Sequence, residues 1–380
     1  MRPNYFFVAV FLLLYANTFS QTIYKVDSNP NATTGDHVYT DLQECIDAAS
    51  DGDMIHIIPA ANHYGTVTID KELHLVGSGW VPDNQSGLTS KVYQINFDAG
   101  SSNSTLNGLV VSRSDNSSVY IGVSGAPVDT VENIEIKNCL IRGLTQNTSL
   151  IPKNMILRNN IFYGTSNYWA GVVLKFQTGA GMTENLLISN NIICPGYLSN
   201  YYSSSNITVA NQTILANNLI YGDNGANGFG HPSNAFGSII NCFISNNVFY
   251  GTAVNGSTSY GNVFSNNLTR YCGAGCSFPP TSTSLPNNTG INNLSNTDPL
   301  FTTISVTTYW STSFDLSVPD DSPIIDAGSD GTDIGIMGGS YPFNNYQNLR
   351  AVPYIHQMAV PGIIMENQDI QLEAEARINQ

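Results

Sequence analysis

The chain has 380 residues, of which only 11% are charged, with 28 acidic side chains against 13 basic ones and a formal net charge of −15 at pH 7. So acidic a balance excludes nucleic acid and anionic membrane surfaces as default partners, because both are held through a basic footprint. The charge is unevenly placed: between residues 133 and 297 the acidic side chains are Glu135, Glu184 and Asp223 alone, and most of the acidity lies on either side of that stretch.

Residues 1–20 read as an export signal. Arg2 supplies the positive start, Tyr5 to Tyr15 the apolar stretch, and Thr18-Phe19-Ser20 a small-x-small cleavage site before Gln21. An apolar stretch of about 11 residues is too short to span a bilayer. Gln21 rather than Cys after the cleavage point argues against a lipid anchor, and the rest of the sequence contains no transmembrane segment. The expectation is an exported, soluble chain placed outside the cell, on its surface or in the periplasm. Loss of the signal's single charge, Arg2, takes the net charge from −15 to −16.

Residues 21–38 read as an exposed leader. Thr40-Asp41-Leu42-Gln43 has the T-x-x-Q form of a capping box, and Leu42, Ile46 and Ala49 recur at helical spacing, which predicts a short amphipathic helix over about 41–50. After Gly52-Asp53 come MIHIIP, TVTID and LHLVGSGW, three short strands separated by turns.

From residue 134 to 271 one phrase occurs six times: a short apolar run, a paired Asn, a second apolar run. The copies are IEIKNCLIRG, MILRNNIFYG, LLISNNIICP, TILANNLIYG, CFISNNVFYG and NVFSNNLTRY. Their first Asn is invariant (Asn138, Asn159, Asn190, Asn217, Asn246 and Asn266), and the next position is Asn in five and Cys139 in the first. A start-to-start spacing of about 20 to 31 residues marks a solenoid rather than separate domains. With no helix-period pattern inside it, the unit fits one turn of a parallel β-helix. Two short strands meet at a bend, and Asn tolerates the positive φ that a bend needs. Stacking then sets each first Asn above the next, and the expectation is an amide ladder along that column, a scaffold and not a catalytic array.

The columns sort by alternation. Ile136, Leu157, Ile188, Leu215, Ile244 and Phe264 are inward, as are Ile134, Met155, Leu186, Thr213, Cys242 and Asn262. Between them the outward column reads Glu135, Ile156, Leu187, Ile214, Phe243, Val263, five of six large and apolar. Such a strip is expected to be covered, first by the C-terminal segment after Tyr341, otherwise by a loop or a partner. A second outward column holds Arg142, Tyr163, Cys194, Tyr221, Tyr250 and Arg270. Tyr faces stack on sugar rings and Arg bonds hydroxyls or carboxylates; equally, the column is an aromatic ladder that packs on itself.

Long inserts between the copies carry Tyr168, Trp169, Tyr201, Tyr202, Asp223 and His231. Inserts that leave one edge of each coil converge on one side of a solenoid. Together with Tyr163, Tyr221 and Tyr250 they define the candidate ligand-binding cleft. Cys272 and Cys276 flank Gly-Ala-Gly, a loop short and flexible enough to close into a disulfide; Cys45, Cys139, Cys194 and Cys242 read as small buried fillers. Beyond Pro353 and Pro361, Ile370, Leu372, Ala374, Ala376 and Ile378 alternate with Gln371, Glu373, Glu375 and Arg377, a strand with one apolar face whose partner is not evident.

Two stretches carry a family likeness. AASDGDMIHIIPA…YGTVTIDKELHLVGSGW resembles the opening coil of bacterial right-handed parallel β-helix proteins of the pectate-lyase-like superfamily. TDPLF and FDLSVPDDSPIIDAGSDGTDIGIMGG are similar to the closing coil of many exported members. The likeness covers about residues 40–340 and implies an all-β fold: a right-handed, single-stranded parallel β-helix with an N-terminal capping helix. The organisation expected is a signal peptide at 1–20, the β-helix at 21–340 and a tail at 341–380 with a β-strand. Lyases, hydrolases, epimerases and non-enzymatic surface proteins share the architecture, and no catalytic motif of one member family matches residue by residue.

The chemistry decides between two readings. A glycosidase needs two carboxyl groups about 5 to 9.5 Å apart, and Glu135, Glu184 and Asp223 are too sparse to form an evident pair. A lyase of the resembled superfamily needs a basic residue, often Arg or Lys, and commonly a cation. Lys137 and Arg158 share a column on adjacent coils, but no carboxylate cluster near them would hold Ca²⁺. Asp326, Asp330 and Asp333 have the spacing of a turn that either shapes the closing coil or binds Ca²⁺. The reading adopted is a non-catalytic exported module that binds a polysaccharide or cell-surface glycan, or serves as a structural unit, with no metal and no cofactor. The alternative is a carbohydrate-active enzyme such as a polysaccharide lyase.

Overall fold

Three faces of short parallel strands, stacked coil upon coil, make the body of the molecule. The structure is a computed structural model that describes residues 21–80, 88–113, 117–123, 128–163, 173–176, 183, 185–194, 205–208, 212–222, 234–254, 258–304, 311 and 314–343, and two strands at 354–359 and 373–377. One coil shows the plan. Ile156–Arg158 lies in the first sheet, Ile161–Tyr163 in the second and Leu174–Lys175 in the third, after which Leu187–Ser189 rejoins the first sheet beside its predecessor. Among the described residues these sheets have 12, 8 and 7 strands, all side-by-side partners being parallel. Register is strict: Ile156 pairs with Leu187, Leu187 with Ile214, Ile214 with Phe243 and Phe243 with Val263. The chain is a parallel β-helix, the architecture expected from its repeats.

The paired Asn makes the bend between the first and second sheets. The first member adopts the left-handed backbone at every copy, with φ of 55° at Asn138 and Asn159, 54° at Asn190 and Asn266, and 57° at Asn217 and Asn246. An amide side chain lowers the steric cost of that conformation, so the repeat is spelled in Asn. Its side chain does not stack as expected. The ladder belongs to the second member, which turns inward. Asn160 donates from Nδ2 to Asn191 Oδ1 at 3.0 Å, Asn191 to Asn218 at 3.1 Å, Asn218 to Asn247 at 2.9 Å, Asn247 to Asn267 at 3.0 Å and Asn267 to Asn293 at 3.0 Å. Each Oδ1 also accepts the backbone N–H of the Asn one coil earlier, at 2.9–3.0 Å. The buried polar row is thereby satisfied in a dry core, where an unpaired amide would be costly. Cys139 stands at the open end of the row. It needs no amide, because its own N–H donates to Asn160 Oδ1 at 3.0 Å and its thiol faces the Leu109 N–H at 3.4 Å.

Inside, Ile136, Leu157, Ile188, Leu215, Ile244 and Phe264 form one continuous buried stack, facing Ile141, Phe162, Ile193, Ile220 and Phe249 from the second sheet. The helix is Leu42–Ala48, and its buried residues Leu42, Cys45 and Ile46 pack on the first strands of the solenoid. Its N-cap is Asp41, not Thr40: the carboxylate accepts from the Glu44 N–H at 3.0 Å, while Gln43 is taken up by the backbone of Thr68. Lys71 closes the other end by donating to the carbonyls of Ile46, Asp47 and Ala49. The leader is also more ordered than expected. Ile23–Val26 joins the first sheet between Val38–Tyr39 and Asp53–Ile57, burying Tyr24 and Val26. Four alternating residues are too few to register as a strand in sequence without a known neighbour.

The closing segment is a strap. Residues 327–342 run back along the bend, and the first Asn of the last five copies reaches out to hold them, while Asn138 donates to Asn107 Oδ1 at 2.9 Å instead. Asn266 donates to Ala327 O (2.9 Å), Asn217 to Asp333 O (3.3 Å), Asn190 to Ile336 O (3.0 Å) and Gly338 O (2.7 Å), and Asn159 to Tyr341 O (3.1 Å) and Pro342 O (3.2 Å). Asn246 accepts from the Ser329 N–H at 2.8 Å. Ile304, Leu316, Ile324, Ile334, Ile336 and Phe343 then lie against Ile161, Ile192, Leu219, Val248 and Leu268 on the outer face of the second sheet. The covered apolar surface is therefore on the second sheet. The strip foreseen on the first sheet is uncovered by described residues, with Phe243 57% and Ile214 44% exposed. Strand Glu373–Arg377 finds its partner in Tyr354–Ala359, antiparallel, and not in the solenoid sheets. No helix of the described residues is long and apolar enough to cross a membrane.

Candidate functional site

Of the residues proposed for ligand contact, Tyr163, Tyr221 and Tyr250 are described. Tyr221 and Tyr250 stack on each other at 6.4 Å and 10°, but they are only 1% and 5% exposed, beside Phe314 and Phe301 of the segment that leads into the strap. Burial raises the Tyr250 hydroxyl to about 12, with Tyr271 and Asp298 pushing the same way and Arg270 opposing. These two rings are packing residues, as the self-packing alternative for that column has it. Tyr163 is half-buried two steps further along, beyond Cys194 and near Ser112 and Arg142, and burial raises its pKa against the pull of Ser112 and Arg142. Tyr168, Trp169, Tyr201, Tyr202, Asp223 and His231 lie outside the described residues. Their inserts do share one origin. Each joins a strand of the second sheet to a strand of the third: Ile161–Tyr163 to Leu174–Lys175, Ile192–Cys194 to Ser205–Thr208, and Leu219–Tyr221 to Asn234–Phe236.

That edge borders the outer face of the third sheet. Alternation sends Val67, Ile95, Val119, Leu144 and Leu174 inward, and leaves Thr68, Asn96, Tyr120, Thr145 and Lys175 outward in register from coil to coil. Polar contacts knit the row to its border. Gln94 donates to Asn96 Oδ1 at 2.6 Å and accepts from Arg113 Nη1 at 2.6 Å, Arg142 Nη1 donates to the Arg113 carbonyl at 2.9 Å, and the Ser117 and Thr145 hydroxyls are 2.8 Å apart. His63 meets the Ser112 hydroxyl at 3.3 Å and the Tyr93 ring edge-on at 6.1 Å. Burial, with Lys91 adding to it, lowers the His63 pKa and favours the neutral ring. The seven strands of this sheet contain no Asp or Glu. In a chain this acidic, a face that carries Arg113, Arg142 and Lys175 is electrostatically distinct. Sequence reasoning missed most of this row because each strand offers only one or two outward residues and the inserts vary in length. The readable signal was the period-2 alternation in TVTI, QINF and LTQ.

The other candidates have structural partners. Lys137 and Arg158 both pair with Glu135, each at 2.6 Å, and the Arg158 guanidinium lies 4.4 Å from the centre of the Tyr341 ring. Arg158 thus fastens the strap to the first sheet, and both cations lie on a sheet other than those the inserts join. Asp333 accepts the Asp326 N–H at 3.0 Å, and Asp330 accepts from the Thr332 N–H and hydroxyl at 3.1 and 2.8 Å, so these carboxylates shape their own turn. Among the described residues no group of three or more His, Cys, Asp or Glu could hold a metal ion. Cys272 and Cys276 form a disulfide across Cα atoms 5.1 Å apart, while Cys45, Cys139, Cys194 and Cys242 are free and buried.

No family model matches the sequence, and no curated protein matches it. Among solved structures, the pectate lyase Pel9A is similar in fold: 14% identical, with a TM-score of 0.45, over 86% of this chain and 97% of that one.

Proposed function

We propose that this is an exported β-helix that binds a polysaccharide along the outer face of the third sheet, without cleaving it. The carrying observation is the polar row Thr68, Asn96, Tyr120, Thr145, Lys175, bordered by Arg113 and Arg142 and by the edge from which the aromatic inserts spring. Hydroxyl and amide groups repeating every ~4.8 Å along the solenoid suit a chain of sugar hydroxyls. Guanidinium and ammonium groups select a glycan that carries carboxylate or sulfate. Tyr168, Trp169, Tyr201 and Tyr202 in the inserts add ring faces for stacking. The absence of Asp and Glu from the sheet's strands leaves them without a cation-binding carboxylate, which favours binding over lyase chemistry.

The test is binding of the full chain to acidic and neutral polysaccharides, with product release followed in the same samples. An acidic glycan should bind with an affinity that falls as salt rises, and Lys175→Ala should weaken it several-fold. Equal binding of neutral and acidic glycans, or no effect of Lys175→Ala, would place the ligand elsewhere. Appearance of unsaturated oligosaccharides would establish the second reading, a polysaccharide lyase, for which the exposed Lys175 amine is the candidate base on this face.

A further inference from the structure

The outer face of the first sheet changes character toward the N-terminal helix. There Asp53–Ile57 and Leu73–Val76 lie side by side, and the alternation that buries Ile55, Ile57, Leu73 and Leu75 turns Met54, His56 and His74 outward, each half-buried. Met54 and His56 are neighbours on one face of one strand, and His56 Nε2 lies 3.1 Å from Met54 Sδ. His74 is the direct register partner of Met54 on the next strand, about 4.8 Å away. Its Nε2 is 3.8 Å from Glu72 Oε1, beyond hydrogen-bond length, so the ring can turn toward Met54.

Two imidazoles and a thioether on adjacent strands make a donor set for one ion. Metal bonds of about 2.0 Å to nitrogen and about 2.3 Å to sulfur meet at roughly 90° across the 3.1 Å pair. Widening that pair by about 0.6 Å gives the ~120° of three-coordination with the same bond lengths. Burial lowers the His56 pKa and keeps the ring neutral, the form that binds a metal. No third His, Cys, Asp or Glu of the described residues joins the two histidines, which leaves zinc and calcium short of donors. The soft thioether instead selects copper(I), which imidazole also suits. The outward neighbours on the flanking strands are Ile23 and Lys25 on one side and Val76, Thr105 and Asn107 on the other. Lys25 is engaged by Asp27 at 3.1 Å, and the Glu72 carboxylate beside His74 offsets a single positive charge.

We propose that Met54, His56 and His74 form a copper(I) site of one sulfur and two nitrogens on the outer face of the first sheet. It lies on a different sheet from the polar row and stands whether or not that row binds a glycan.

The test is oxygen-free titration of the full chain with Cu(I) in competition with the chelator bathocuproine disulfonate. The expected result is one equivalent of copper retained per chain, with X-ray absorption showing one sulfur and two nitrogens around it. Met54→Leu and His74→Gln, on separate strands, should each weaken retention about tenfold or more and leave the metal-free melting temperature at that of the parent. The buried thiols of Cys45, Cys139, Cys194 and Cys242 are the competing ligands for a soft ion. A shell of two or more sulfurs, or retention equal to the parent in either variant, would put the copper elsewhere and overturn the proposal. Failure of the parent to retain copper also overturns it, and leaves His56 and Met54 as a hydrogen-bonded surface pair. The absorption spectrum of the parent decides the matter even where a variant melts early.

Discussion

Asn218→Leu removes the middle rung of the inner ladder. The Asn218 Oδ1 accepts from the Asn191 backbone N–H at 2.9 Å and from Asn191 Nδ2 at 3.1 Å, and its Nδ2 donates to Ile188 O at 2.8 Å, Ala216 O at 3.1 Å and Asn247 Oδ1 at 2.9 Å. Not every loss is equal. Asn191 Nδ2 keeps Leu157 O and Ser189 O, and Ala216 O still accepts from the Asn190 N–H. The Asn191 backbone N–H is the donor left buried without its partner, at a cost of about 1–3 kcal/mol, and each compensated bond adds about 1 kcal/mol. The sum is about 3–5 kcal/mol, beyond the usual range for one substitution, and should lower Tm by on the order of 10 °C. Because a solenoid is stabilised by neighbour contacts, a local readout is sharper. The Asn191 amide should exchange with deuterium about a hundredfold faster while amides near Leu75 are unchanged. The control is Asn217→Gly, which keeps a positive-φ bend and gives up one long bond of 3.3 Å to Asp333 O; it should cost less than about 1 kcal/mol. If the two variants melt together, or if Asn191 exchanges no faster, the inner row carries no appreciable stability and the reasoning fails.

Gly338→Ala would drive a Cβ into the Asp333 carbonyl and the Asn217 amide, so the strap should lift and limited proteolysis should cut between 320 and 343 before it cuts the solenoid. The Tyr250 hydroxyl, raised to about 12 from an ordinary 10.0 by burial, stays neutral longer in the folded chain than in the unfolded one; its contribution is complete below pH 10 and lost as pH rises toward 12. Tyr250→Phe should therefore flatten the fall of Tm across that window, and an unchanged slope would refute the assignment. Burial raises the Cys45 and Cys139 thiols to about 12 and Cys242 to about 11, and pushes Cys194 up as well; a thiol reagent should label none of these in the native protein and all four after denaturation. Early labelling of any one would show that its coil opens locally.

The coil body was legible because its chemistry repeats. The inward stacks of Ile136 to Phe264 and the left-handed Asn at each bend follow from alternation and from the φ that a tight corner demands, and both are as the sequence implied. What a single repeat does not encode is which of two adjacent amides points inward. Asn159 takes the left-handed backbone and directs its side chain outward to the strap, while the side chain of its neighbour Asn160 enters the core. The strap itself was read as a closing coil, yet its position over the second sheet depends on contacts between residues more than 100 apart, such as Asn190 with Ile336 and Asn217 with Asp333. Hence the Tyr221 and Tyr250 rings, outward by alternation, are inside by tertiary packing. The third-sheet row was hidden for a different reason: variable inserts break the spacing that would have aligned Thr145 with Lys175.

The inner ladder and the strap impose different rules on the length of this molecule. Every ladder bond joins one coil to the next, so a duplicated coil would slot in and find both its neighbours satisfied. The strap obeys another geometry: its carbonyls at 327, 333, 336, 338, 341 and 342 are each assigned to a particular coil. One added coil between Asn159 and Asn266 would displace every downstream attachment by ~4.8 Å and leave the strap too short to reach its last anchor. The strap thus acts as a gauge that fixes the coil number of a scaffold whose own repeat sets no limit. Lineages that lengthen the solenoid must lengthen residues 327–342 in step.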